Sequence, residues 1–227
     1  NGATRRMITP EMLTGQSTEH LAVLCGNHRL QPEAVKAFQA LQCAAKEAGF
    51  NLQPASTFRD FARQQTIWNA KFYGERAVLD ENSQPLDITS LSVGELWCAI
   101  LRWSALPGAS RHHWGTDLDI YDPDLLPDGK KLQLEPWEYL EGGYFYPLNQ
   151  WLSDNMDRFG FYRPFGDKQQ GVAVEPWHLS YRPLSSLAEH QLTKEVLKKA
   201  WQDKHIAGSE WLIPHLSEIF SRFIAIK

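Results

Sequence analysis

Basic charge is not in excess in this chain of 227 residues: 23 Lys and Arg face 27 Asp and Glu, for a formal charge of −4. A general electrostatic pull toward phosphate backbones or anionic lipid is missing, so no nucleic-acid partner is expected. Cysteine is scarce as well. Cys25, Cys43 and Cys98 are odd in number, far apart and outside any CxxC pair, which argues against a disulfide framework and against a thiolate zinc site. They are expected to be buried or inert thiols, a usage that suits a reducing compartment. No run approaches the ~18 apolar residues that span a bilayer, and the start lacks a basic region followed by an apolar stretch. The expectation is a protein with no membrane span, cytoplasmic, or periplasmic if a signal peptide has been removed.

What is present is the composition of a globular protein: 43% hydrophobic residues, 22% charged residues and nine Trp, over a length that can bury a core of its own. Residues 1–18 read as an N-terminal segment whose first six positions are a processed or artificial end, with Met7 as a natural start. Residues 19–185 read as the main domain and residues 186–227 as a C-terminal helical extension or cap.

Apolar residues at Val35, Phe38, Leu41 and Ala45, between Pro32 and Gly49, predict a helix. Asn51 to Phe58 predicts a short strand, and Asp60 to Phe72 a helix stopped by Gly74. A polar loop covers residues 74–92. A helix from Val93 to Trp103 follows, opened by the capping box Ser92-Val-Gly-Glu95. Alternation over Asp117 to Tyr121 predicts a strand, and the Pro-, Gly- and Asp-rich residues 122–146 a long loop or short hairpin, and loops of that length often serve as lids. Leu148 to Phe159 reads as a helix closed by Gly160. Phe161–Phe165 and Val172–Glu175 read as adjacent strands around a Gly166–Gly171 turn, and Leu184 to Lys227 turns helical. This order is α+β: a mostly antiparallel sheet flanked by helices, with a C-terminal helical extension.

Zinc catalysis needs three nitrogen or oxygen ligands and one open position for water, whose pKa falls to about 7 on the metal. His112, Asp119 and His178 can supply that set. His112 and Asp119 are seven positions apart, an odd step that would place them on opposite faces of a continuous strand, so the chain must bend, and Gly115 can bend it. Glu175 stands three residues before His178, and Pro176 biases it away from helical geometry. A carboxylate beside such a water is the standard general base. His113 and Asp117 compete with the chosen ligands, and spacing alone does not choose between Asp117 and Asp119. His20, His28, His190, His205 and His215 read as ordinary histidines.

Ser110-Arg-His112-His-Trp-Gly115-Thr-Asp-Leu-Asp119 resembles the SxHxxGxxxD signature of the D-alanyl-D-alanine carboxypeptidase (VanY-type) family of zinc peptidases, in the LAS/Hedgehog-like superfamily. Glu175-Pro-Trp177-His178 resembles its ExWH partner, and Ser56-Thr-Phe-Arg59 with Gln64 resembles its S-G-[YF]-R-x4-Q stretch. Together the motifs cover about residues 30–185. Thr57 replaces the usual Gly, and Asp117 stands where the family commonly has Ala. The resemblance implies zinc held by His112, Asp119 and His178, with Glu175 deprotonating the attacking water and then protonating the leaving amine. It places Arg59 beside the metal, to stabilise an oxyanion or clamp a carboxylate. Gln64 and Ser110 are expected to help hold the terminal carboxylate. The implied partner is a peptidoglycan-derived stem peptide losing a terminal D-Ala, as a D,D- or L,D-carboxypeptidase. Alternatives are an endopeptidase of the same family and a non-catalytic zinc-binding module, which would have no need of Glu175. A two-His, one-carboxylate set also resembles the facial triad of ferrous oxygenases. Trp114 and Trp177 are expected to pack the site wall, and Trp201, Trp211, Phe220 and Phe223 to be core.

Overall fold

Helices enclose a sheet assembled from distant strands in the computed structural model, which describes residues 7–167 and 171–224. In chain order a short helix α1 (Pro10–Leu13) precedes a hairpin of β1 (Ala22–Cys25) and β2 (His28–Leu30), then α2 (Pro32–Glu47), β3 (Gln53–Ser56), α3 (Phe61–Phe72) and α4 (Val93–Leu101). Strand β4 (Asp117–Tyr121) follows, then α5 (Pro136–Tyr139), α6 (Tyr146–Asn155), β5 (Phe161–Tyr162) and β6 (His178–Tyr181). Helices α7 (Arg182–Gln191), α8 (Lys194–Trp201), α9 (Ser209–Leu212) and α10 (Leu216–Ile219) close the described chain. The fold is α+β, with a four-stranded antiparallel sheet in the order β3-β4-β6-β5.

Local chemistry explains the helices. Pro32 sits in the first turn of α2, whose Ala34, Val35, Phe38, Leu41 and Ala45 make its buried stripe. Asp60 caps α3 by accepting from the Arg63 amide at 2.7 Å. At α4 the Ser92 and Glu95 side chains form the reciprocal capping box.

Several segments depart from the sequence reading. Val172–Glu175 is not a strand: the Ala173 amide bonds to the Arg102 carbonyl and that of Glu175 to the Phe165 carbonyl, leaving no ladder. The place beside β5 is taken by β6, and the expected strand at Phe161–Phe165 shortens to two residues. Part of the expected Gly166–Gly171 turn, positions 168–170, lies outside the described residues, as do the first six residues and the last three. The helix expected at Leu148–Phe159 starts earlier, at Tyr146, and tightens to a 3-10 turn over Met156–Phe159 before Gly160, which adopts φ +90°. Cys25 and Cys43 are exposed rather than buried. Cys25 ends a strand at a hairpin turn, and Cys43 lies two positions from both Leu41 and Ala45, off the buried stripe of α2.

Two apolar cores result. Leu118, Ile120 and Leu179, from one face of β4 and β6, pack with Val35, Phe38 and Leu41 of α2 and Leu148 and Leu152 of α6. The second core joins Phe61 and Trp68 of α3 and Trp97 and Ile100 of α4 to Leu197 and Trp201 of α8, Leu212 and Phe223. Trp211 and Phe220 pack against it. The C-terminal helices therefore share a core with α3 and α4. The sheet face opposite α2 and α6, free of apolar duty, carries polar side chains.

Candidate active site

Register creates the site. Antiparallel pairing sets Asp119 opposite His178 and Asp117 opposite Ser180, so four polar side chains share one face of β4 and β6. His112 arrives separately, on a 3-10 turn over Arg111–His113 capped by the Ser110 hydroxyl, which accepts from the His112 amide. Gly115 joins that turn to β4 with φ +74°, and a Cβ there would sit 2.6 Å from Leu21 and 3.1 Å from the Gln31 backbone nitrogen. Only glycine suits both the conformation and the space.

His112 Nδ1 lies 2.8 Å from the Thr57 carbonyl and must donate to it, which turns Nε2 inward, 3.4 Å from Asp119 Oδ1. His178 Nε2 lies 2.7 Å from Asp117 Oδ2, which turns Nδ1 toward Asp119 Oδ1 at 3.8 Å. One donor atom from each of His112, Asp119 and His178 falls within 4.8 Å of the others. Asp119 Oδ1 is buried with no hydrogen-bond partner among the described residues. A buried carboxylate oxygen of that kind is costly unless a cation or donor completes it. These residues fit a metal such as zinc, and each imidazole already has the outer partner that ligating histidines need.

Asp117, the unexpected carboxylate, has no solvent exposure. It accepts from Arg111 Nε at 2.7 Å, the Thr116 hydroxyl at 2.6 Å and the Ser180 hydroxyl at 2.8 Å, besides its bond to His178. Burial alone would raise its pKa; Arg111 first, then His178 and Thr116, hold it well below the carboxylate range. Arg111 in turn donates to Glu189 of α7 at 2.7 Å and to the Tyr162 hydroxyl at 3.0 Å. Asp117, which spacing alone leaves level with Asp119 as a candidate ligand, is occupied in orienting His178. His113, the other rival, has both ring nitrogens engaged: Nδ1 with the Arg59 carbonyl at 2.7 Å and Nε2 with the Gly108 amide at 3.1 Å. Burial pushes its pKa down to about 3, so it is a neutral structural histidine.

Glu175 Oε1 stands 3.3 Å from His178 Nδ1, and its side chain is 13% exposed. Arg59 Nη1 donates to Gln64 Oε1 at 2.9 Å, and Nη2 reaches Ser56 Oγ at 3.4 Å. Burial lowers the Arg59 pKa, while Asp119 and Glu175 act in the opposite sense. The Gln64 amide nitrogen donates to the Ala105 carbonyl at 2.8 Å, so both ends of that side chain are occupied in holding Arg59 and the wall behind it. A cavity of about 400 Å³ unites Arg59, Ser110, His112, Asp119, Glu175 and His178. Gln133, Leu134 and Glu135 of the long loop, and Phe223 and Ile224 of the C-terminal segment, also line it. Trp114 and Trp177 are buried in the two cores.

The VanY: D-alanyl-D-alanine carboxypeptidase family model matches residues 27–184, which contain Arg59, Gln64, Ser110, His112, Asp119, Glu175 and His178. The chain belongs to that family. Among relatives in sequence, an uncharacterised protein of Haemophilus influenzae is 52% identical over 121 residues, covering 52% of this chain and 92% of its own. A D-alanyl-D-alanine carboxypeptidase of Enterococcus faecalis is 26% identical over 172 residues, 74% of this chain and 54% of that protein. VanYB in complex with D-alanine-D-alanine superposes with a TM-score of 0.52 at 23% identity, over 81% of this chain and 89% of VanYB. A mutant of the vancomycin-resistance D,D-pentapeptidase VanY, in complex with Zn(II), gives 0.52 at 25% identity, over 80% and 92%.

Were a metal held by His112, Asp119 and His178, its uptake would be coupled to protons. Burial would lower the His178 pKa, but its bonds to Asp117 and Glu175 push it up to about 9. Zinc held by these three residues would take the place of that proton, so binding at pH 7 would release about one proton and affinity would fall about tenfold per pH unit toward acid. Calorimetry in buffers of different ionisation enthalpy reads the number directly, and a buffer-independent heat would contradict it.

Proposed function

We propose that this protein is a zinc-dependent carboxypeptidase that hydrolyses the terminal D-Ala bond of peptidoglycan stem peptides. The observation that carries the reading is the buried, unpartnered Asp119 Oδ1 between two oriented imidazole nitrogens, with Glu175 and Arg59 in the same cavity. A bound zinc would supply a Lewis acid that lowers the pKa of a water and polarises a carbonyl. Glu175, beside His178 and open to the cavity, takes the proton from the attacking water and returns it to the departing amine. Arg59, braced by Gln64 and Ser56, presents a fixed guanidinium to the negative charge that develops on the carbonyl oxygen. Ser110 lines the cavity but uses its hydroxyl to cap the His112 turn, so its part is to place the ligand as well as to meet substrate.

Peptides ending in D-Ala-D-Ala and in a single D-Ala, incubated with the zinc-loaded protein and read by mass spectrometry, test this. Loss of one terminal D-Ala from either is the expected result and names the bond. Internal cleavage would make the protein an endopeptidase, and intact peptides despite stoichiometric zinc would make it a binding module.

A further inference from the structure

Lys71 is one of three cations lining the cavity, with Arg76 and Arg102, that the peptidase reading leaves without a task. It lies on α3 seven residues after Gln64, and Gln64, Ile67 and Lys71 follow helical spacing along one face, two turns beyond the residue that braces Arg59. Its ammonium donates to the Ser104 hydroxyl at 2.6 Å, its one recorded side-chain bond among the described residues, although it has three protons to donate. Arg76 lines the same part of the chain and the same cavity. Burial, then the repulsion of Arg76, hold the Lys71 pKa down to about 8, with Glu175 opposing and Arg59 adding to the fall. Of the acids lining the cavity, Asp119 and Glu175 belong to the metal end, and Glu135 accepts from the Trp137 indole at 3.1 Å. A half-buried ammonium beside a second cation, with two donors to spare, is arranged to receive an anion.

We infer that Lys71, supported by Ser104 and Arg76, is an anchor for a second carboxylate of the substrate, carried on a dicarboxylic side chain rather than at the peptide's terminus. Cations at two separate places in one cavity argue for two anionic groups: Arg59 sits against the metal ligands, where the scissile group must lie, and Lys71 with Arg76 stands farther along the chain. A point-charge ammonium suits a single carboxylate oxygen, whereas the fork of Arg59 suits the group at the reaction centre. The cavity volume of about 400 Å³ falls in the ~300–1,000 Å³ range of small-ligand sites, room for more than one residue's terminus.

The inference rests on the peptidase reading for the identity of the substrate, so its test separates the two. Four versions of one peptide, with the side-chain carboxylate free or amidated and the terminal carboxylate free or amidated, are titrated by calorimetry into zinc-loaded Glu175→Ala protein, which preserves the peptide. Turnover by the wild type, measured separately, reports on the peptidase reading alone. With Lys71 present, the free side-chain acid should bind about tenfold more tightly than its amide. Adding Lys71→Met should bring the free acid down to the affinity of the amide, and Lys71→Arg should keep the preference. Equal weakening of all four peptides by Lys71→Met, no weakening of any, or loss of discrimination at the terminal carboxylate alone would overturn the assignment. Thermal unfolding of each variant confirms that a folded protein was measured.

Discussion

Replacing Glu175 by Ala should lower kcat by about 10²–10⁴-fold while leaving zinc stoichiometry unchanged. The side chain reaches His178 Nδ1 only at 3.3 Å and is not needed to complete the three-donor set of His112, Asp119 and His178. Among the described residues no backbone amide donates to its carboxylate, and the Glu175 main chain holds the segment through the Phe165 carbonyl and the His178 amide. Removing a general base should therefore appear in kcat with KM little moved, the pattern of an interaction made in the transition state. Metal analysis beside steady-state kinetics decides it. A variant that loses zinc along with activity would make Glu175 a ligand, and one that keeps activity would end the carboxypeptidase mechanism proposed above.

Asp117→Ala should do a different kind of damage. It removes the carboxylate that fixes His178 Nε2 and at the same time leaves Arg111 beside a cavity, with its charge in a site 7% exposed. Breaking a buried pair by deleting one partner costs about 3–5 kcal/mol because the remaining charge is uncompensated. Arg111 keeps Glu189, Tyr162 and Ser180 as partners, so the lower end of that range is the expected loss in a urea unfolding experiment. Loss of the carboxylate behind a ligating histidine should weaken zinc about 10–100-fold in competition with a chelator. Asp117→Asn separates the two effects: it retains shape and an acceptor oxygen but not the charge. If zinc affinity and stability are both untouched in these variants, the network beneath His178 is passive packing.

The same network shows where sequence reasoning stopped. Asp117 and Asp119 are two residues apart on one strand, and nothing in that spacing says which faces the metal. The choice is made by β6, which sets Asp119 opposite His178 and Asp117 opposite Ser180. Arg111 is hidden inside the His112 motif, and its partner Glu189 comes from α7, 78 residues later. Neither pairing leaves a local periodicity. The hairpin of Ala22–Cys25 and His28–Leu30 leaves little trace in the sequence because four- and three-residue strands are too short to show alternation, although Gly26-Asn27 marks the turn. Val172–Glu175 misled in the opposite direction: its Val-Ala-Val run has strand composition but finds no ladder, since β propensity needs a neighbouring strand to act upon.

The sequence by itself determined the elements whose signals are local. Proline and glycine punctuation with a 3.6-residue apolar repeat specifies α2, the Ser92 and Glu95 pair starts α4, and the resemblance to the family's motifs nominates His112, Asp119, His178 and Glu175. Only the tertiary structure decided what those groups face. It chose the ring nitrogen each histidine turns inward, engaged Gln64 behind Arg59, and brought Lys71 and the C-terminal Phe223 to one cavity. The physical reason is that helix caps and amphipathic stripes are short-range properties of a chain, whereas strand register and buried ion pairs are settled by residues far apart in sequence competing for the same few ångströms.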